Sequence, residues 1–250
     1  MSLNNSSKAM VTDLMVEIIA ECGSNWVPRY GETLIKACVD VGVTSVKFQL
    51  WRAEDLYGKD WQKYKPFELS LQKFEEFKEF GDGIGAEVFA SCFYYEAVDF
   101  LESCGVKRYK IASRTAALKD SGSINVLKCI SETRKPVIIS TGYKCNWAAL
   151  GYLFPGRATY LDCIPKYPAE MKDFKFRRSR SQWLNFDGYS NHIPSIYPCV
   201  AAVCRNAKVI ETHVMLNKFS RDKTPDGYCS IMVSELGKLV EIIRGLEKCL

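Results

Sequence analysis

The chain has two histidines, His192 and His213. Each closes a polar cluster at the expected end of an apolar run: Gly188-Tyr189-Ser190-Asn191-His192 and Val209-Ile210-Glu211-Thr212-His213. Neutral imidazole is the commonest protein ligand for a transition metal. Two imidazoles at the mouths of neighbouring strands can grip one divalent cation and leave its other positions to a substrate. The competing reading is two unrelated histidines, each satisfied in the core. Glu21 and Glu211 stand at similar segment ends and bring acid–base capacity. Lys47 and Lys110 fall inside apolar runs, where an unpaired ammonium is strongly disfavoured. They require a carboxylate or an anionic ligand. Ser91, Ser113, Ser140 and Ser190 are short donors at comparable places. Cations and short donors together suit a ligand with several anionic oxygens, most economically a phosphate. Any one of these serines alone reads as an ordinary strand-end hydrogen bond.

Positioning these groups requires a repeating scaffold, and the chain carries one. Short apolar runs recur at Met15–Ala20, Ser45–Leu50, Glu87–Ser91, Arg108–Ala112, Val137–Ser140, Ala158–Leu161, Phe186–Tyr189 and Lys208–Glu211. Their Val, Ile, Phe and Tyr content suits strands buried on both faces. Helical spacing fills the intervals, clearest at Gly31–Val41, Phe67–Gly81, Tyr95–Cys104, Ile124–Thr133, Ile196–Arg205 and Ser234–Leu250. It is weaker at Asn146–Leu153 and Asp173–Leu184. Eight strand-then-helix units in 250 residues predict an α/β fold of one domain, a (β/α)8 TIM barrel. No GxGxxG follows the first strand, which argues against a doubly wound nucleotide-binding sheet. Residues 1–12 read as a flexible leader and 13–250 as the barrel. The stretch Trp51–Pro66 reads as a long loop whose Trp51, Tyr57, Trp61 and Tyr64 either cover the site mouth or pack on the barrel top.

In such barrels chemistry sits where strands end and βα loops begin. That rule collects Glu21 and Asn25, then Lys47 and Gln49, Ser91, Lys110 and Ser113, Ser140 and Thr141, and Tyr167. Ser190 and His192 follow from the seventh unit, Glu211 and His213 from the eighth.

Composition narrows the function classes. Net charge is +5, and the one basic cluster, Lys175–Arg180, suits a solvated loop or helix start better than a nucleic-acid patch. No apolar stretch approaches the length of a membrane helix, and the polar N-terminus is unlike a signal peptide. The 11 cysteines are odd in number, without a CxxC pair, and several sit in apolar runs. They read as reduced thiols of a cytoplasmic protein. Cys22 and Cys92, near strand ends, read as core filler or site lining.

Six segments, in order, carry a resemblance: Ile18-Ile-Ala-Glu-Cys-Gly-Ser-Asn25, Val46-Lys-Phe-Gln49, Tyr109-Lys-Ile-Ala-Ser113, Ile139-Ser-Thr-Gly142, Gly188-Tyr-Ser-Asn-His192 and Val209-Ile-Glu-Thr-His213. Together they resemble the sialic acid synthase family, the N-acetylneuraminate and related nonulosonate synthases. The resemblance implies a TIM barrel that condenses phosphoenolpyruvate with an open-chain N-acyl hexosamine. It implies His192 and His213 as ligands of a divalent metal, Mn2+ foremost, with Mg2+ or Co2+ as alternatives. It implies Lys47, Ser91, Lys110, Ser113, Ser140 and Ser190 around phosphoenolpyruvate, with Gln49 on the same strand as Lys47. Glu21 and Glu211 would flank the reacting carbons, with Glu211 a base for water. Tyr167 and Asp226 would face the sugar.

The chain also departs from that pattern. Trp26 follows Asn25 where the family has His, and Arg114-Thr115 follow Ser113 where it has Gly and an acidic residue. Pro165 stands where a polar residue is usual, with Lys166 as the expected substitute. The small C-terminal antifreeze-like domain has no counterpart before Leu250. The departures point to an altered acceptor half beside a retained phosphoenolpyruvate and metal half. Two alternatives stay open: a non-catalytic or regulatory barrel that binds phosphoenolpyruvate or sugar, and another metal-dependent, aldolase-type enzyme. A homodimer through barrel faces is compatible with the sequence; nucleic-acid and membrane partners are not expected.

Overall fold

A computed structural model describes residues 15–27, 29–174, 186–217 and 221–249. The apolar runs become eight strands: β1 (Glu17–Glu21), β2 (Ser45–Leu50), β3 (Glu87–Cys92), β4 (Tyr109–Ile111), β5 (Val137–Ser140), β6 (Ala158–Cys163), β7 (Gly188–Asn191) and β8 (Val209–Met215). Each pairs in parallel with the next, and β8 returns to β1. Closure leaves no unpaired edge. A two-residue β9 (Ile231–Met232) pairs with the outer end of β8, Val214 opposite Ile231. Around this single-domain (β/α)8 barrel run α1 (Gly31–Asp40), α2 (Ala53–Tyr57), α3 (Trp61–Tyr64), α4 (Leu71–Gly83), α5 (Glu96–Ser103), α6 (Ser113–Ala116), α7 (Ser121–Glu132), α8 (Trp147–Leu153), α9 (Tyr197–Val203) and α10 (Val233–Glu247). Among the described residues no helix is long and apolar enough to cross a membrane.

Strand alternation explains the interior. Outward residues such as Val46, Phe48, Val88, Ala90, Ile139 and Ile210 join the large core beneath the helices. Inward residues Ile19, Phe89, Ile138, Leu161 and Val209 form a separate buried cluster inside the barrel. Two residues further along the same strands, the inward positions become Glu21, Ser91, Ser140, Cys163 and Glu211. A period of two therefore stacks an apolar layer under a polar one. Below the apolar layer, Arg108 lies 4.7 Å over the Phe89 ring and donates to Glu17, Glu87 and Ser45. Gly188 completes the inner wall, because a Cβ there would stand 1.9 Å from the Val209 carbonyl oxygen.

Several boundaries differ from the sequence reading. β6 and β8 run further than expected, so His213 lies within β8, not beyond its end. The seventh strand begins at Gly188, not Phe186. Helix α7 starts at Ser121, not Ile124, because the Asp120 carboxylate accepts from the Ser123 amide at 2.7 Å and caps it. Ser70 likewise sets the start of α4 at Leu71. Trp51–Pro66 is no structureless loop. It folds into α2, α3 and intervening 3-10 turns, with Tyr57 stacked on Tyr64 at 3.7 Å. Aromatic contacts, not periodicity, stabilise these short turns. The 1–12 leader, the Lys175–Arg180 cluster and most of the Asp173–Leu184 segment lie outside the described residues.

Candidate active site

The polar layer floors a cavity of about 470 Å³ at the C-terminal end of the strands. Every residue named above as catalytic, substrate-binding or metal-ligating borders it, from Glu21 on β1 to Asp226 after β8. At its base is a buried charge cluster. The Lys47 ammonium pairs with Glu21 and lies 3.3 Å from Glu211 Oε2. It also donates to Ser91 Oγ at 3.1 Å. Lys110 donates to Ser140 Oγ at 2.8 Å and stands 3.6 Å from Glu211 Oε1. Ser190 Oγ donates to that same oxygen at 2.8 Å. Glu211 thus sits between both ammoniums, and the carboxylates required by Lys47 and Lys110 are present.

The electrostatics follow from this packing. Burial by itself would raise the Glu211 carboxyl, but Lys110 and Lys47 bring it down to about 2. Burial lowers Lys110, aided by the like charge on Lys47 and opposed by Glu211. Lys47 moves the other way: burial opposes its charge, yet Glu21 and Glu211 outweigh it. Glu211 is therefore held as an ionised carboxylate, at some cost in basicity.

His192 and His213 face each other across the rim, with ring centroids 5.3 Å apart. His192 Nδ1 lies 2.8 Å from the Ile164 carbonyl oxygen. A carbonyl only accepts, so Nδ1 carries the hydrogen and Nε2 keeps its lone pair. Burial, with His213 second, holds His192 down to about 3, a neutral ring suited to metal ligation. Among the described residues the buried Nδ1 of His213 has no hydrogen-bond partner. Tyr167 covers the pair, 4.0 Å from the His192 ring and 6.1 Å from that of His213. A divalent cation fits this donor set: two imidazoles, the neutral His192 and a His213 with an orphaned buried nitrogen.

A model of the NeuB family matches residues 34–250. The chain belongs to the NeuB family. It is 32% identical over 247 residues to an uncharacterized protein of Methanocaldococcus jannaschii, covering 93% of this chain and 71% of that one. It is 28% identical to the N,N'-diacetyllegionaminic acid synthase of Legionella pneumophila, covering 98% and 76%. It is also 28% identical to the human N-acetylneuraminate-9-phosphate synthase, covering 93% and 70%. In structure it is similar to the N-acetylneuraminic acid synthetase of Leptospira borgpetersenii (TM-score 0.83, 24% identity, 94% and 85% covered), a likeness of fold. The family resemblance read from the six motifs is thus established. The relatives of named activity are synthases of sialic-acid-like sugar acids, carbon–carbon bond-forming enzymes of carbohydrate biosynthesis.

Against this NeuB-family background the departures acquire positions. Arg114 is exposed at the rim, donates to the Leu56 carbonyl at 3.4 Å, and borders both the cavity and a neighbouring one of about 460 Å³. Thr115 is buried and borders only the neighbour. Lys166 does not replace a phosphate donor: it lies outside the cavity, paired with Glu170 and Asp173 at 3.2 and 2.8 Å. Asn25 is also absent from the lining. It donates to the Val214 carbonyl and Ser230 Oγ, each at 2.8 Å, and fixes the loop after β8. Of the four aromatics in the second loop, Tyr57 and Tyr64 reach the cavity, while Trp51 borders its neighbour. Cys22 and Cys92 are buried core thiols outside the lining. Among the residues the sequence reading passed over is Cys163, which lines the cavity 3.6 Å from His192 Nδ1. Extending the alternation of β6 by one inward step beyond Leu161 finds it.

Proposed function

We propose that this NeuB-family chain joins phosphoenolpyruvate to the aldehyde of an open-chain N-acyl hexosamine or related sugar, yielding inorganic phosphate and a 2-keto-3-deoxy sugar acid. The enol carbon bonds to the aldehyde carbon, whose oxygen takes a proton. Water adds at the neighbouring carbon, and the C–O bond to phosphate breaks. One observation carries the reading: two buried ammoniums, surrounded by serine hydroxyls, at the base of a cavity whose far rim holds two imidazoles.

Lys47 and Lys110, with Ser91, Ser113, Ser140, Ser190 and Gln49, are assigned to the phosphate and carboxylate of phosphoenolpyruvate. Glu211 is the base that takes a proton from water. Its ionised state and its place on the cavity lining support that role. Glu21, paired with Lys47, serves the proton at the aldehyde oxygen. Tyr167 faces the sugar. The two ammoniums are matched by Glu21 and Glu211, so an anionic substrate adds uncompensated negative charge. A divalent cation at His192 and His213, of the Mn2+, Mg2+ or Co2+ kind, offsets that charge and supplies a Lewis acid for the sugar carbonyl. The eleven free thiols support a reducing, cytoplasmic setting.

The test is phosphate release from phosphoenolpyruvate and Mn2+ across N-acyl hexosamines and simpler aldoses. Release that requires both an aldehyde and the cation is expected. Tight phosphoenolpyruvate binding with no release for any aldehyde would favour the binding barrel.

A further inference from the structure

We infer that Asp226 and Cys229 complete the cation centre of this barrel, giving a nitrogen, oxygen and thiolate donor set that favours Zn2+, Fe2+ or Co2+ over Mg2+. The inference rests on the cation proposed above and names its remaining protein ligands. One candidate ligand atom each from His213, Asp226 and Cys229 lies within 4.8 Å of the others. His213 and Cys229 are 3% and 1% exposed, so neither is a surface coincidence. The buried His213 Nδ1, without a hydrogen bond, stands 3.7 Å from Asp226 Oδ1. Metal–nitrogen and metal–oxygen bonds of about 2 Å place two such donors roughly 3–3.5 Å apart, so only a small closure is needed.

The surrounding chain fixes these donors before any ion arrives. Ser24 occupies Asp226 Oδ2 and leaves Oδ1 to face His213. Cys229 sits in the 3-10 turn Gly227–Cys229, which is held between β8 and β9. Its Sγ donates to the Asp226 carbonyl at 3.2 Å as a thiol. On ligation that proton leaves to solvent and the sulfur binds as thiolate. A soft sulfur donor selects against Mg2+ and towards later transition metals.

The experiment uses the full chain, stripped with chelator and titrated with Co2+ while absorption is recorded. Visible d–d bands accompanied by a near-ultraviolet thiolate-to-cobalt band are expected. Cys229→Ser should lose the thiolate band and bind Co2+ at least about tenfold more weakly. Cys204→Ser, an exposed thiol, should leave the spectrum unchanged. A wild-type spectrum with d–d bands and no thiolate band overturns the inference while sparing the two-histidine site. So does a thiolate band that survives in Cys229→Ser. No Co2+ spectrum at all would reject the cation reading together with it. The wild-type spectrum decides whether any thiolate binds, and a band that persists in Cys163→Ser, the other thiol beside the histidines, assigns it to Cys229 even if Cys229→Ser misfolds, whereas its loss there overturns the inference.

Discussion

Ser24 is bound twice to a single oxygen of Asp226: its amide and its hydroxyl reach Oδ2 at 2.7 and 2.6 Å. The contact joins the loop after β1 to the loop after β8, 202 positions apart. Gly23, at φ +45°, makes room for it, since a Cβ there would stand 2.5 Å from the same oxygen. Ser24→Ala removes the charge-assisted hydroxyl bond to Oδ2 and the bond the hydroxyl accepts from the Asp226 amide, and leaves only the Ser24 amide to keep the carboxylate turned towards His213. Loss of about 1.5–3 kcal/mol of stability is expected, with Co2+ affinity falling several-fold and phosphoenolpyruvate affinity little changed. Calorimetric titration of both ligands checks this; equal losses for the two would reject the separation of sites.

Lys110→Met replaces a buried ammonium by an apolar chain of similar length. Glu211 keeps Lys47 at 3.3 Å and Ser190 at 2.8 Å, so the carboxylate is not stranded. The barrel should fold, with phosphoenolpyruvate binding weakened roughly a hundredfold, about 2.7 kcal/mol. Co2+ binding should change far less. The reverse ranking would take Lys110 away from the anion.

Acid stability has its own locus at the barrel floor. Burial would raise the Glu17 carboxyl, but the hydrogen bond and charge of Arg108 hold it below the usual carboxylate range. A folded-state value below the unfolded one means that the unfolded chain binds more protons. The stabilisation is therefore complete above the ordinary carboxylate range and is lost as pH falls from there through the lower folded-state value. Urea unfolding between about pH 6 and 3 should show declining stability, with a shallower decline in Glu17→Gln. Parallel profiles for the two proteins would assign the acid limb elsewhere.

Gly188→Ala should be among the most damaging small substitutions. Its Cβ would meet the Val209 carbonyl at 1.9 Å and Leu161 Cδ2 at 2.8 Å, one of them backbone in the neighbouring strand. Strand separation would follow, at roughly 3 kcal/mol or more. Thermal unfolding within a degree or two of the wild type would contradict the packing of the inner wall.

Much of this was legible because strand runs and charge placement are local signals. Lys47 and Lys110 announced a buried anionic site, since an ammonium inside an apolar strand needs a counter-charge; Glu21 and Glu211 supply it. Cys163 escaped because the sixth strand's end was set two residues short, which hid its last inward position. Lys166 was misjudged because a lysine near a site motif does not reveal its direction, and Glu170 and Asp173 draw it outward.

By itself the sequence determined the eight alternations, the family and the set of groups that meet at one rim, because period and composition act over a few residues. Only the closed barrel decided which oxygen of Glu211 meets which lysine, how Ser24 aims Asp226, and that Cys229 stands beside His213. Those relationships join residues far apart in the chain, and strand register and loop packing, which no local pattern encodes, set their distances.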